Sequence, residues 1–121
     1  MTLNHLQPRI LIVEDEPALA MLLEDWLADA GFLIAGVAGG LEAALPIIES
    51  GVCDIAALDA NLKGVSSAPA ASALAARGIP FVVLSGYSRS QLHEDFANGV
   101  HLQKPCEPER LLQTLRGMLP A

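Results

Sequence analysis

Five polar residues stand at or just beyond the ends of short apolar runs. Glu14 and Asp15 follow Ile10-Leu11-Ile12-Val13, Asp59 follows Ile55-Ala56-Ala57-Leu58, Ser85 follows Phe81-Val82-Val83-Leu84, and Lys104 comes soon after Val100-His101-Leu102. Three carboxylates gathered within a few ångströms repel one another, and at neutral pH they call for a cation, a shared proton or both. A hard divalent ion such as Mg²⁺ suits them, because it binds through one or two carboxylates together with water and substrate oxygens. A lysine adds a point charge for a phosphate, and a serine adds a hydroxyl donor. The chemistry this set could support is phosphoryl transfer to a carboxylate. Asp59 is the candidate nucleophile, because it closes the run expected to be the middle strand.

Such a set meets only if the runs are parallel strands whose carboxyl ends share one edge of a sheet. Short apolar runs alternate with amphipathic or Ala-rich stretches five times, the pattern of a parallel sheet covered by helices on both faces. The expected strands are Arg9–Glu14, Phe32–Val37, Asp54–Leu58, Pro80–Leu84 and Val100–Leu102. A first helix follows Pro17, with Leu19, Leu22, Leu23, Trp26, Leu27 and Ala30 at helical spacing before Gly31. Helices are also expected over Leu41–Glu49, about Ala68–Ala76, a short Arg89–Ala97, and from Pro108 with Leu111, Leu112, Leu115 and Leu119 on one face.

Composition narrows the function classes. With 121 residues the chain fits one domain, and 52% hydrophobic but only 4% aromatic residues suit an aliphatic core. A formal charge of −7 disfavours nucleic acid as a partner. No apolar stretch is long enough to span a bilayer, and the expectation is a cytoplasmic protein with no membrane partner. Cys53 and Cys106 form no CxxC pair and belong to opposite ends of the expected sheet, so both are read as free thiols.

The stretches Ile10 to Pro17, Leu58-Asp59-Ala60-Asn61-Leu62, Leu84-Ser85-Gly86 and Lys104-Pro105 resemble, in order and at nearly the usual spacing, the four signature stretches of response-regulator receiver domains. The resemblance covers almost the whole chain. It implies a five-stranded parallel sheet of order 2-1-3-4-5 with five helices, the flavodoxin-like receiver fold, in a single domain over 1–121 with 1–8 as an extension and no attached effector. It implies Asp59 as phosphoacceptor, Glu14 and Asp15 as the acidic pair, Ser85 as the switch hydroxyl and Lys104 as the phosphate-binding lysine. It also implies Mg²⁺ ligation by the backbone carbonyl of Asn61 and a cis Lys104-Pro105 peptide. The partners so implied are a histidine kinase or a histidine phosphotransfer protein as donor, and a downstream protein target.

Several positions depart from that pattern. His101 stands where receivers usually carry an aromatic residue that rotates on phosphorylation; it can still rotate but is smaller and titratable. The interval from Ser85 to Lys104, 104 − 85 = 19 residues, is short, so the fourth helix is expected to be short or loosely formed. Pro80-Phe81-Val82-Val83-Leu84-Ser85-Gly86-Tyr87 is similar to the PFxFATGY-type motif of a receiver subgroup. Position 87, like Asn61, is then expected to tune hydrolysis of the acyl phosphate, with Tyr87 shielding it. Two other readings compete: a degenerate receiver acting by contact alone, and a Mg²⁺-dependent phosphatase or Toprim-like enzyme. The enzyme reading wants a DxD pair, where this chain has Asp59-Ala60-Asn61.

Overall fold

The computed structural model describes residues 7–88 and 91–119. Seven strands and four α-helices follow in order: β1 (Arg9–Val13), α1 (Pro17–Asp29), β2 (Leu33–Ala38), α2 (Leu41–Ser50), β3 (Ile55–Asp59), β4 (Asn61–Leu62), β5 (Val65–Ser66), α3 (Ala68–Ala76), β6 (Phe81–Ser85), β7 (Val100–Gln103) and α4 (Pro108–Met118). Five of the strands form one sheet, β2-β1-β3-β6-β7, with every pairing parallel. Counting only those five, this is the expected order 2-1-3-4-5. Strands β4 and β5 form a separate two-stranded antiparallel hairpin that was not expected.

The aliphatic runs become strands because both sheet faces are covered. Side chains alternate across the sheet. Leu11, Val13, Ala56, Leu58, Phe81 and Val83 pack with α2 and α3 on one face, while Ile10, Ile12, Ile55, Ala57, Val82 and Leu84 pack with α1 and α4 on the other. Strands β3 and β6 are buried along their whole length, which is why they read as unbroken apolar runs rather than as an alternation. At the amino-terminal edge the guanidinium of Arg9 grips the Asp54 carboxylate in a fork, at 2.8 and 3.0 Å. This pair holds the start of β1 beside the start of β3. Among the described residues, no helix is long and apolar enough to cross a membrane.

The strand limits differ from expectation by about one residue. Strand β3 runs through Asp59 and β6 through Ser85, so both residues are the last of their strands. Their backbones are fixed by ladder bonds rather than by a loop.

The fourth expected helix, Arg89–Ala97, is corrected. Residues 89 and 90 lie outside the described residues; Gln91 is in 3₁₀ conformation and a 3₁₀ turn follows at Glu94–Phe96, with no α-helix among the described residues of the segment. The imidazole of His93 accepts from the Asp95 N–H at 3.0 Å, closing the chain locally. Phe96 is buried against the α3 side of the core. Only three residues separate this anchor from the start of β7. Gly99 completes the constraint: a Cβ there would overlap the Phe81 ring and lie 2.9 Å from the Phe81 carbonyl oxygen. Among the described residues the fold therefore has four α-helices where the resemblance implied five.

Candidate functional site

The sheet delivers the expected residues to one edge. Strand β1 pairs with β3 so that Val13 lies opposite Leu58, which brings Glu14 and Asp15 level with Asp59. One carboxylate oxygen each from Glu14, Asp15 and Asp59 lies within 4.8 Å of the other two. Strand β6 puts Leu84 opposite Asp59, and β7 puts Gln103 opposite Ser85, so Lys104 follows directly at the same edge. Its ammonium lies 2.5 Å from Asp59 Oδ2. The Lys104-Pro105 peptide is cis.

Asp59 is 8% exposed and is held by more than the lysine. Its Oδ1 accepts from the Asn61 N–H at 3.1 Å, and its main-chain carbonyl accepts from the Ser67 hydroxyl at 2.6 Å. The Asn61 side-chain oxygen accepts from the Gly64 N–H at 2.6 Å and braces the β4–β5 hairpin. The hairpin turns through Lys63 and Gly64, both in the left-handed region with φ of 52° and 84°. This is the two-residue geometry that matches strand twist, here with a lysine in a place that favours Asn or Gly.

Glu14 is 4% exposed. Burial, reinforced by the negative charge of Asp59, pushes its carboxyl up to about 7, although the Glu16 N–H donates to Oε2 at 3.1 Å and opposes the shift. Its other oxygen, Oε1, is buried with no hydrogen-bond partner. Such an orphaned acceptor beside two further carboxylates is the arrangement a hard cation would satisfy, so Glu14, Asp15 and Asp59 are the residues that could hold one. For Lys104, burial works to lower the pKa, but the hydrogen bond and charge of Asp59 prevail and hold it above its ordinary value.

Ser85 is buried, and its Oγ accepts from the Tyr87 N–H at 2.9 Å. Tyr87 itself is 56% exposed, so in this state its side chain is not packed over the site. The β6–β7 register sets His101 opposite Val83, on the same sheet face as Ser85. His101 Nε2 is buried without a partner. Cys53 is buried before β3 and Cys106 follows β7, and both are free.

Ser67 is the site residue that sequence reasoning missed. A serine just before an Ala-rich helix reads as an ordinary helix cap, and only the hairpin's return to β3 reveals its contact with Asp59.

Residues 10–116 match the response regulator receiver domain. The chain belongs to this family. Two solution structures of SdrG are similar to this receiver. One, from Sphingomonas melonis Fr1, is 40% identical with a TM-score of 0.78, covering 99% of this chain and 100% of that one. The other, described as the BeF3-activated conformation of SdrG from Pseudomonas melonis Fr1, is 42% identical with a TM-score of 0.75, covering 93% and 96%. The transcriptional regulatory protein PdtaR of Mycobacterium tuberculosis (strain ATCC 25618 / H37Rv) is 34% identical over 111 residues, which is 88% of this chain and 54% of that protein. The chain thus spans about half the length of the curated relatives it matches at that identity. Receivers are signalling modules that interact with histidine kinases or phosphotransfer proteins.

Proposed function

We propose that this receiver accepts a phosphoryl group on Asp59 from the phosphohistidine of a histidine kinase or phosphotransfer protein, and signals through the change of shape that follows. The observation that carries the reading is the constellation at the sheet edge: Lys104 Nζ at 2.5 Å from Asp59 Oδ2, beside three carboxylates within 4.8 Å of one another. A lone aspartate after an apolar run is an ordinary turn former. One that is buried, salt-bridged and set in an acidic cluster is placed for chemistry.

In the transfer, a carboxylate oxygen of Asp59 forms a bond to phosphorus as the P–N bond to the donor imidazole breaks, and the ring leaves with the electron pair. Lys104 screens the negative charge between the entering phosphoryl group and the carboxylates. The Ser85 hydroxyl keeps its hydrogen free to donate to a phosphoryl oxygen, since at present it only accepts. Glu14, Asp15, Asp59 and the Asn61 carbonyl are the proposed holders of Mg²⁺, which when bound supplies positive charge against that developing on the phosphoryl oxygens. The orphaned Glu14 oxygen supports this assignment.

The output follows from movement of Ser85 toward the phosphoryl group, which biases the segment between β6 and β7, with His101 beneath it on the same face. The target is a downstream protein, reached in the cytoplasm where such donors present their phosphohistidine. Its Pro80–Tyr87 stretch resembles the PFxFATGY motif, which supports membership of the receiver subgroup that carries it. The similar SdrG chain, described in a BeF3-activated conformation, is in keeping with switching of this kind.

Incubation with acetyl phosphate and Mg²⁺, followed by intact-mass measurement, tests the reading. The wild type gains one phosphoryl group and Asp59→Asn gains none. A wild type that gains nothing, or an Asp59→Asn chain that gains as much, defeats it.

A further inference from the structure

Ser67 occupies the position just before α3, where a serine ordinarily turns its oxygen onto the free N–H groups of the first helical turn. Here it makes no such bond. The Ala70 and Ala71 N–H groups go instead to the backbone carbonyl of Ser67, at 2.9 and 3.1 Å. The Ala68 N–H is taken by the neighbouring hydroxyl of Ser66, at 3.1 Å.

The Ser67 hydroxyl is spent elsewhere. With 0% of the residue exposed, it donates to the main-chain carbonyl of Asp59 at 2.6 Å. Its own N–H donates to the carbonyl of Ala60 at 2.9 Å. One residue thus ties two consecutive carbonyls at the point where β3 gives way to the hairpin. The remaining groups of this turn are also committed: Ala60 N–H to Leu84 O at 2.9 Å, and Asn61 N–H to Asp59 Oδ1. Without the Ser67 hydroxyl the Asp59–Ala60 peptide loses the partner of its carbonyl, and a rotation there would swing both the Asp59 side chain and the Asn61 backbone.

We propose that Ser67 is a positioning residue for phosphoryl transfer, its hydroxyl locking the Asp59 carbonyl so that the Asp59 carboxylate and the Asn61 carbonyl face the acidic cluster together. The proposal rests on the reading of Asp59 as phosphoacceptor. It differs from a tether that only keeps the hairpin folded, because a tether would matter equally wherever the segment is loosened. Ser66 supplies the comparison: its hydroxyl caps α3 one residue away and does not touch Asp59.

Three variants test it, with Mg²⁺ affinity read by titration calorimetry and phosphorylation read as the rate of mass gain from acetyl phosphate at saturating Mg²⁺. In Ser67→Ala the Mg²⁺ affinity and the rate each fall about tenfold, the low end of what partners of metal ligands contribute. Ser66→Ala lowers the thermal midpoint but keeps both wild-type values. Ser67→Cys, of similar size with a weaker donor, falls between Ser67→Ala and wild type. The proposal is overturned if folded Ser67→Ala matches the wild type or Ser66→Ala in both measurements. Should Ser67→Ala not fold, wild-type affinity and rate in Ser67→Cys overturn it equally. A wild type that never gains mass removes the phosphoacceptor reading and this proposal with it, whereas a phosphorylated wild type beside an unaltered Ser67→Ala removes this proposal alone.

Discussion

The ammonium of Lys104 lies 2.5 Å from the Asp59 carboxylate, although the two residues are 45 positions apart and reach each other only through the parallel register of β3, β6 and β7. Two opposite effects of removing it follow. In Lys104→Met the phosphorylation rate falls by about 10²–10³-fold, the scale for loss of one preorganised charge donor. Mg²⁺ affinity rises, because the carboxylates lose a resident cation that competes with the ion. Rates from intact mass and affinities from calorimetry check both. A parallel fall in rate and affinity would mean that Lys104 builds the pocket rather than acting in it.

Glu14 makes the metal-free protein pH-sensitive. Its carboxyl is raised from an ordinary 4.5 to about 7 by burial and by Asp59, so the folded chain holds a proton that the unfolded chain has already lost. The stabilising contribution is complete below about pH 4.5 and is lost as pH rises through 7. In the presence of chelator the thermal midpoint is expected to fall between pH 5 and roughly 7.5 by several degrees. Glu14→Gln flattens that slope, and Mg²⁺ restores stability most strongly at the upper end of the range, where no proton has to be displaced. Differential scanning calorimetry across the range, with and without Mg²⁺, measures this.

Gly99→Ala tests the approach of β6 and β7. The added methyl meets the Phe81 ring and stands 2.9 Å from the Phe81 carbonyl oxygen, and a backbone group cannot yield as a side-chain tip can. A loss of about 1–3 kcal/mol is expected from overpacking, read from the urea midpoint. Since β7 also carries His101 and leads to Lys104, the same variant should slow phosphorylation.

Tyr87 is over half exposed while its N–H is bonded to Ser85 Oγ, so shielding of an acyl phosphate requires its ring to close when Ser85 turns toward the phosphoryl group. Tyr87→Ala is then expected to hydrolyse its phosphoaspartate severalfold faster than wild type while being phosphorylated at an unchanged rate. Following loss of the phosphoryl mass after removal of the donor decides it; equal decay of the two chains rules the shield out.

The sheet and its polar carboxyl edge were legible because burial on both faces leaves unbroken aliphatic runs, and a polar residue after such a run marks a strand end. That logic brings Glu14, Asp15, Asp59, Ser85 and Lys104 to one sheet edge, where the structure has them. It misplaced strand ends by one residue, since a ladder can extend through the first polar group, as it does at Asp59 and Ser85. The hairpin at Asn61–Ser66 was missed because its turn carries Lys63-Gly64 rather than Asn-Gly, and its strands are two residues each. The role of Ser67 was hidden for a different reason: its partner, the Asp59 carbonyl, is a backbone group that no pattern of side chains announces.

Among the described residues, the crossover from β6 to β7 is closed by short turns of backbone: Gln91 to Ser88, the 3₁₀ turn with Phe96 to His93 and Ala97 to Glu94, and Gly99 to Phe96. A helix would melt or tilt as one cooperative rod. These clasps can open singly, so a tug on Ser85 at one end need not travel as far as the Phe96 anchor at the other. Under the proposed phosphorylation, a protein docking on this face would meet a re-laced loop rather than a shifted rod.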